Sequence, residues 1–401
     1  MPFDSTICFL NSNDGTGLLA FGEKSRLLAA KSPVLDELQD YIKEKSGNYL
    51  FGYLSYDLKN EIETLSSNNF DGLSFPTLFF WEPAYVVEIK NNNYTYIQGE
   101  QSDDHLALID AFLSPVNKGN TSAFDFKFKE RTSKKRYLEQ VNFLKNAIQR
   151  GDIYEVNYCQ EYFAENVKIT NPIAVYNKLN SLTKAPFSSY FHFDIYSLFC
   201  GSPERYINYK NKKLISEPIK GTAPRSKDPI EDLRNKENLQ TDPKERAENI
   251  MIVDLVRNDF SKIATNHSVQ VDALCEIHSF ENVHQMISTV SCEIKEGTTF
   301  TDIIKASFPM GSMTGAPKLR AMELIEESED FKRGLYSGSL GYIKPNGDFD
   351  LNVIIRSLLY NQEKQYLSCS VGGAITSKSD PEKEYAECLT KVNRILTGMH
   401  E

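Results

Sequence analysis

The sequence predicts an α+β fold, on three observations. Runs of aromatic and β-branched residues come in hairpin pairs, helical periodicities sit in separate blocks, and the 401 residues exceed what one simple core usually carries. A doubly wound parallel sheet would instead alternate strand and helix along the chain.

The first hundred residues supply strand-like runs such as "NYLFGYLSYDL" and "AYVVEIKNNNYTYIQG", separated by polar turns. A polar stretch from 113, "LSPVNKGNTSAFDFKFKERTS", marks a boundary between an N-terminal region, 1–125, and a second part, 126–401. After it, "KKRYLEQVNFLKNAIQRGD" sets Tyr137, Val141, Leu144 and Ile148 at helical spacing, with Gly151 as the stop. Residues 196–219 read as strand, "KNKK" turn and strand. Near the end "LYSGSLGYI", "FDLNVIIRSLLY" and "QYLSCSVGGAIT" form an antiparallel meander. Alternation in the middle run puts Phe349, Leu351, Val353, Ile355 and Leu359 on one face, and Arg356 on the other with Asp350, Asn352 and Ile354.

Lys+Arg of 45 against Asp+Glu of 55 leaves a formal charge of −10, which argues against a broad grip on nucleic acid or an anionic membrane. An anionic ligand then needs a local cationic pocket. The seven cysteines are scattered without a C-x-x-C pair, as in a reduced thiol set. The N-terminus lacks a basic, apolar leader and no window is apolar enough for a membrane span, so the expectation is a soluble cytoplasmic protein.

One phrase recurs. "TDPKERAENIMIVDLVRND" from 241 and "SDPEKEYAECLTKVNRIL" from 379 both offer Asp as N-cap and Pro as first helical residue. Asp242 and Glu245 also have capping-box spacing. Each helix carries Glu-x-x-Glu on one face: Glu245 with Glu248, and Glu384 with Glu387. In the second helix Tyr385, Leu389, Val392 and Leu396 make the apolar stripe, and Glu384, Glu387 and Lys391 cluster away from it. This is either a solvated face with a Glu387 to Lys391 ion pair, or half of a pocket into which two helices turn four carboxylates. Hard oxygen donors used sparingly are what Mg2+ accepts.

If the "KNKK" turn is centred near Asn211 or Lys212, Glu204 faces Lys220 across the hairpin to within about two positions. The bland reading is a cross-strand ion pair. A chemical role would need a lysine that can lose its proton and a glutamate that can keep one. In "FPMGSMTGAPKLRAMELIEE", Gly311, Ser312, Thr314 and Gly315 precede a helix opened by Pro317, with Leu319, Met322 and Ile325 spaced along it; such a loop either caps the helix or offers N–H groups to an anion. Arg356 could make a bidentate carboxylate contact or a plain salt bridge, and Gly372 and Gly373 permit close backbone approach.

Taken together, "GDIYEVNYCQE", "GSPERY", "PIKGTAPR", "ERAENIMIVDLVRND", "FPMGSMTGAPK", "YSGSLGY", "IIRS", "GGAIT" and "DPEKEYAECLTKVN" resemble the chorismate-utilising enzymes, in the family's order across 151–393. That family includes anthranilate synthase component I, aminodeoxychorismate synthase component I, isochorismate synthase and salicylate synthase. The resemblance implies a four-layer αββα sandwich with two large, mainly antiparallel sheets, into which 1–125 packs, and a chorismate-binding catalytic domain at 126–401 holding chorismate and magnesium in a cleft. By motif position, Glu248 and Glu387 match metal-binding glutamates, with Glu245 and Glu384 behind them through water. Thr222, Ser312, Tyr336, Arg356, Lys391 and the backbone at Gly372 and Ala374 match positions holding chorismate's carboxylates, and Glu204 matches the general acid for the departing 4-hydroxyl.

Lys220 stands third in P-I-x-G-T, where the resemblance implies lysine for aminodeoxychorismate synthases and alanine for anthranilate synthases. Lys220 therefore resembles a nucleophile that attacks C2 of chorismate before ammonia adds at C4, giving 4-amino-4-deoxychorismate on the way to 4-aminobenzoate and folate. The rival expectations are an anthranilate synthase component I and a non-catalytic chorismate-binding subunit. Water-adding relatives use a lysine base at the position of Glu155, and amine-adding relatives more usually carry glutamine there, so Glu155 departs from both. With no G-x-C-x-G turn among the cysteines, ammonia is expected from a separate glutamine amidotransferase subunit, and no fused lyase domain is expected.

Overall fold

A computed structural model describes residues 6–29, 33–113, 124–281 and 283–400. The polar stretch read as a boundary lies partly outside them, at 114–123. All strand pairings among the described residues are antiparallel and join into one hydrogen-bonded network. Leu50–Leu54 pairs with Ser339–Ile343 and Ile7–Asn11 with Phe187–Phe193, so strands from the first hundred residues are bonded directly to strands of the second part.

Helices cover this network from two sides. Lys134–Arg150, Pro172–Thr183, Lys318–Ser328 and Pro381–His400 bury one apolar cluster against the strands, including Tyr137, Leu144, Val156, Leu324 and Val392. Val34–Glu44, Pro243–Ser261 and Phe300–Ser307 bury a second around Leu35, Phe51, Trp81, Ile252 and Ile304. This is the mixed α+β sandwich expected. The ends of Lys134–Arg150 fall where local chemistry puts them: the Ser133 side chain accepts from the Arg136 N–H, and Gly151 closes the helix at φ 83°.

The "KNKK" hairpin forms in the expected register. Asn208 faces Ile215 and Tyr209 faces Leu214, with Asn211 and Lys212 at positive φ in a tight turn. Two longer strands expected from the sequence are broken instead. Residues 196–210 split into Tyr196–Ser202 and Arg205–Lys210, and residues 349–361 into Phe349–Asn352 and Ser357–Asn361. The two breaks lie opposite each other, because each half of one run pairs with a half of the other. Pro203, which has no N–H for a ladder, opens one break; Arg356, at φ 51°, closes the other. The Val353 N–H still reaches the Glu204 carbonyl at 3.0 Å. Glu204 and Arg356 thus leave the strand alternation at the same level, and the mid-strand placement expected for Arg356 does not hold.

Candidate active site

The two helices that begin alike do so as read. The Asp242 carboxylate accepts from the N–H groups of Lys244 and Glu245, and Asp380 from that of Lys383. Both starts are brought together by one cation. Lys244 Nζ lies 3.3 Å from Glu384 Oε1 and 3.8 Å from Glu248 Oε1, spanning from the Pro243 helix to the Pro381 helix. Glu387 makes the expected pair with Lys391 at 2.7 Å, and Lys391 also donates to the Gly372 carbonyl at 3.2 Å.

The four carboxylates are not equivalent. Burial pushes Glu248 up to about 7, an effect that Lys220 and Lys244 only partly offset and that Glu155 reinforces. Burial raises Glu245 as well. At the half-exposed Glu387 partial burial works in the same direction, but Lys391, with Lys244 and Lys220, outweighs it and holds the carboxyl below its ordinary range. Glu384 is buried, so the solvated-face reading fails for it.

Lys220 is the centre of the site. Its Nζ is 2.9 Å from Glu155 Oε1, with side-chain exposures of 11% and 1%. Hairpin register alone sets it near Glu204; the observed partner is Glu155, sixty-five residues earlier in the chain. The reason lies in the ladder: past Glu217 the chain leaves Arg205–Lys210, and Ile219–Pro224 pairs with Val283–Glu293. Glu204 still acts on the amine through space, as does Glu248. Burial disfavours the ammonium, but Glu155, Glu248 and Glu204 overcome it and hold Lys220 above its ordinary value. The lysine therefore rests protonated, contrary to the lowered value that a ready nucleophile would show.

Glu204 is 5% exposed, and burial pushes its carboxyl up to about 7, against weaker pulls from Ser312 and Lys220. Near neutrality a large share of it carries a proton, as a general acid needs. Ser312 Oγ is buried next to it without a well-formed hydrogen bond, close enough to influence its charge and free to turn to a ligand.

Two glycines make the close approaches possible. Gly221, at φ 92°, passes Glu245, where a Cβ would come 3.1 Å from Oε2. At Gly315 a Cβ would come 2.2 Å from the Glu155 carbonyl, so the segment 311–317 can pack directly on the Glu155–Ala164 strand.

The residues matched to carboxylate binding divide. Arg356 is partly buried, and no carboxylate of the described residues pairs with it; burial and the Arg394 guanidinium lower its affinity for its own proton. A partly buried guanidinium without a counter-ion can receive an anion. Tyr336 is buried beside Cys159, with its phenol pushed far up by burial and kept neutral. Gly372 and Ala374 lie opposite Cys159 and Asn157. Thr222 is exposed on the strand that carries Lys220.

The sequence reading missed a buried pair that holds these parts in place. Arg333 bonds Glu329 bidentately and donates to the carbonyls of Met313 at 2.7 Å and Asn157 at 2.7 Å, while Glu329 accepts from the Cys159 N–H. Its only sequence signal was i,i+4 spacing in "ESEDFKR", which is as common on surfaces. Lys244 was equally legible as a helix charge and unreadable as a bridge.

Among the described residues no three His, Cys, Asp or Glu side chains are grouped closely enough to hold a metal unaided. Magnesium does not require that, since it keeps waters and takes few protein carboxylates. The donor set is all oxygen, and Glu248 Oε1 is a buried carboxylate oxygen without a hydrogen-bond partner. These residues fit such an ion. A separate cavity of about 1300 Å3, lined by Asn11, Tyr49, Tyr176, Phe187, Tyr342 and Asn352 among others, includes none of the carboxylates around Lys220.

A model of the chorismate binding enzymes matches residues 6–397. Aminodeoxychorismate synthase component 1 of Klebsiella aerogenes is 34% identical over 347 residues, covering 86% of this chain and 76% of the relative. Anthranilate synthase component 1 of Thermus thermophilus is 33% identical over 357 residues, covering 87% and 76%. The crystal structure of anthranilate synthase component I from Streptococcus pneumoniae superposes with a TM-score of 0.81 at 25% identity, covering 95% of this chain and 92% of that one.

Proposed function

The chain belongs to the chorismate binding enzymes, and from that premise we propose that it is the chorismate-aminating component of an aminodeoxychorismate synthase. The observation that carries this reading is Lys220: a largely enclosed amine, 2.9 Å from Glu155 and within the field of Glu204 and Glu248, where the anthranilate-forming relatives are expected to have alanine. An inert surface lysine would point into solvent.

Arg356, with no anionic partner of its own, receives a carboxylate of chorismate, and Lys391, Ser312 and Tyr336 stand to complete that grip. Thr222 and the backbone at Gly372 and Ala374 supply further contacts. Glu248 and Glu387 would hold magnesium, with Glu245 and Glu384 behind them. When bound, the ion supplies charge neutralisation for a carboxylate of the substrate. The Lys220 amine attacks C2 while the ring double bonds shift and the C4 hydroxyl leaves as water, taking the Glu204 proton. Ammonia then adds at C4, the double bonds shift back, and the C2–N bond breaks to free the lysine. The ammonia source is a glutamine amidotransferase subunit.

The near-equal similarity to an anthranilate synthase favours a second reading, in which ammonia attacks C2 directly and the pyruvyl group is lost. Incubation with chorismate, magnesium and ammonium, followed by chromatography, separates them. The expected product is 4-amino-4-deoxychorismate, which retains the pyruvyl group; anthranilate and free pyruvate would overturn the proposal.

A further inference from the structure

The nucleophile reading leaves a proton unaccounted for, because Lys220 rests as an ammonium. We infer that Glu155 is the catalytic base that removes this proton and later returns it; the inference rests on the reading of Lys220 as the attacking amine. Three observations carry it. Glu155 Oε1 touches the reacting nitrogen at 2.9 Å, and no other carboxylate of the described residues is within ion-pair reach of that atom. Glu155 is 1% exposed at the side chain, and its Oε2 is buried without a hydrogen-bond partner, so the ammonium is its one close stabilising contact. Its backbone is clamped between Ala316 on one side and the Tyr366–Ile375 strand that begins pairing at Val156 on the other, which fixes the carboxyl against the amine.

The protons balance through one cycle. Lys220 ammonium gives a proton to Glu155; the neutral amine forms the C2–N bond, and Glu204 protonates the departing hydroxyl to water. Ammonia bonds to C4 as an ammonium, which returns a proton to Glu204. The C2–N bond breaks with its electron pair going to the lysine nitrogen, and Glu155 reprotonates the amine. Chorismate and ammonia become 4-amino-4-deoxychorismate and water, with both glutamates restored. The other carboxylates facing the amine, Glu204 beside the hairpin, Glu245 and Glu248 on the Pro243 helix and Glu387 on the Pro381 helix, act through space.

Rapid quench of the enzyme with chorismate and magnesium, without ammonia, reads the rate of adduct formation at Lys220 by mass spectrometry. Glu155→Gln keeps the shape and should slow that rate by about 100-fold or more while chorismate binding, measured by calorimetry, is retained. Glu155→Asp, which keeps a carboxylate, should recover part of it. A mere counter-ion gives the opposite result: its removal would free the amine, and an unchanged or faster adduct in Glu155→Gln overturns the inference alone. Absence of any adduct in the wild type overturns the nucleophile reading and this inference with it. A Glu155→Asp variant that folds and binds chorismate but is no faster than Glu155→Gln also overturns it.

Discussion

The Pro243 and Pro381 helices open with the same phrase and end with differently charged carboxylates. On the first, Glu248 is buried and raised to about 7; on the second, Glu387 is 46% exposed at the side chain and lowered. Cap, proline and Glu-x-x-Glu spacing are common to both. What differs is the neighbour one turn on: Lys391 gives Glu387 an ion pair at 2.7 Å, whereas the cation nearest Glu248, Lys244, stands at 3.8 Å and is shared with Glu384. A local motif can therefore place carboxylates, while their protonation is set by what the fold brings beside them.

The largest effect should follow from removing the cation that both helices feel. Lys220→Ala should abolish the adduct with chorismate while binding is largely kept, and loss of that charge should raise Glu248 further. Calorimetry with chorismate, together with peptide mapping, checks both the retained binding and the missing adduct.

Next comes the metal contrast. Glu248→Gln removes a buried oxygen that has no hydrogen-bond partner and only a loose ion pair with Lys244, and should weaken magnesium binding by about 100-fold; Glu387→Gln removes one already engaged by Lys391 and should cost about tenfold. Magnesium titrations of the two variants, followed by calorimetry, would break the comparison if the order were reversed.

Glu204 sharpens it through pH. Its folded value of about 7 lies above the ordinary 4.5, so the native state keeps a proton that the unfolded chain releases between those values. Stability is then fully present below pH 4.5 and is lost as pH rises through 7, by an amount on the order of 3 kcal/mol. Glu204→Gln removes that loss. Urea denaturation should find the variant more stable than wild type at pH 8 and little different at pH 4.5, even as its turnover falls.

The smallest effect concerns the bridge. Lys244→Met cuts the half-exposed link between the helix starts and should cost about 1 kcal/mol or less in urea denaturation.

The parts legible in the sequence were those decided locally. Asp242 and Asp380 as caps, Gly151 as a stop, and the turn at Asn211 and Lys212 each follow from the chemistry of a few adjacent residues. The Glu155–Lys220 contact depends on which strands become neighbours after the hairpin ends, and no local periodicity encodes that. Arg356 was legible as an arginine among apolar residues, but its escape from the strand needed the facing break at Pro203. Resemblance to a family pointed to both residues, whereas elementary pattern reading put Arg356 in a regular strand and brought Glu204 near Lys220 without finding Glu155, the acid that bonds it.

The central claim is that the largely enclosed amine at 220 forms a covalent bond to the ring. Quenching the wild-type enzyme during turnover with chorismate, magnesium and ammonium, and then mapping its peptides by mass spectrometry, tests this most directly. The account predicts a transient adduct on the peptide carrying Lys220, absent from Lys220→Ala; steady product formation with that peptide unmodified at every quench time would contradict it.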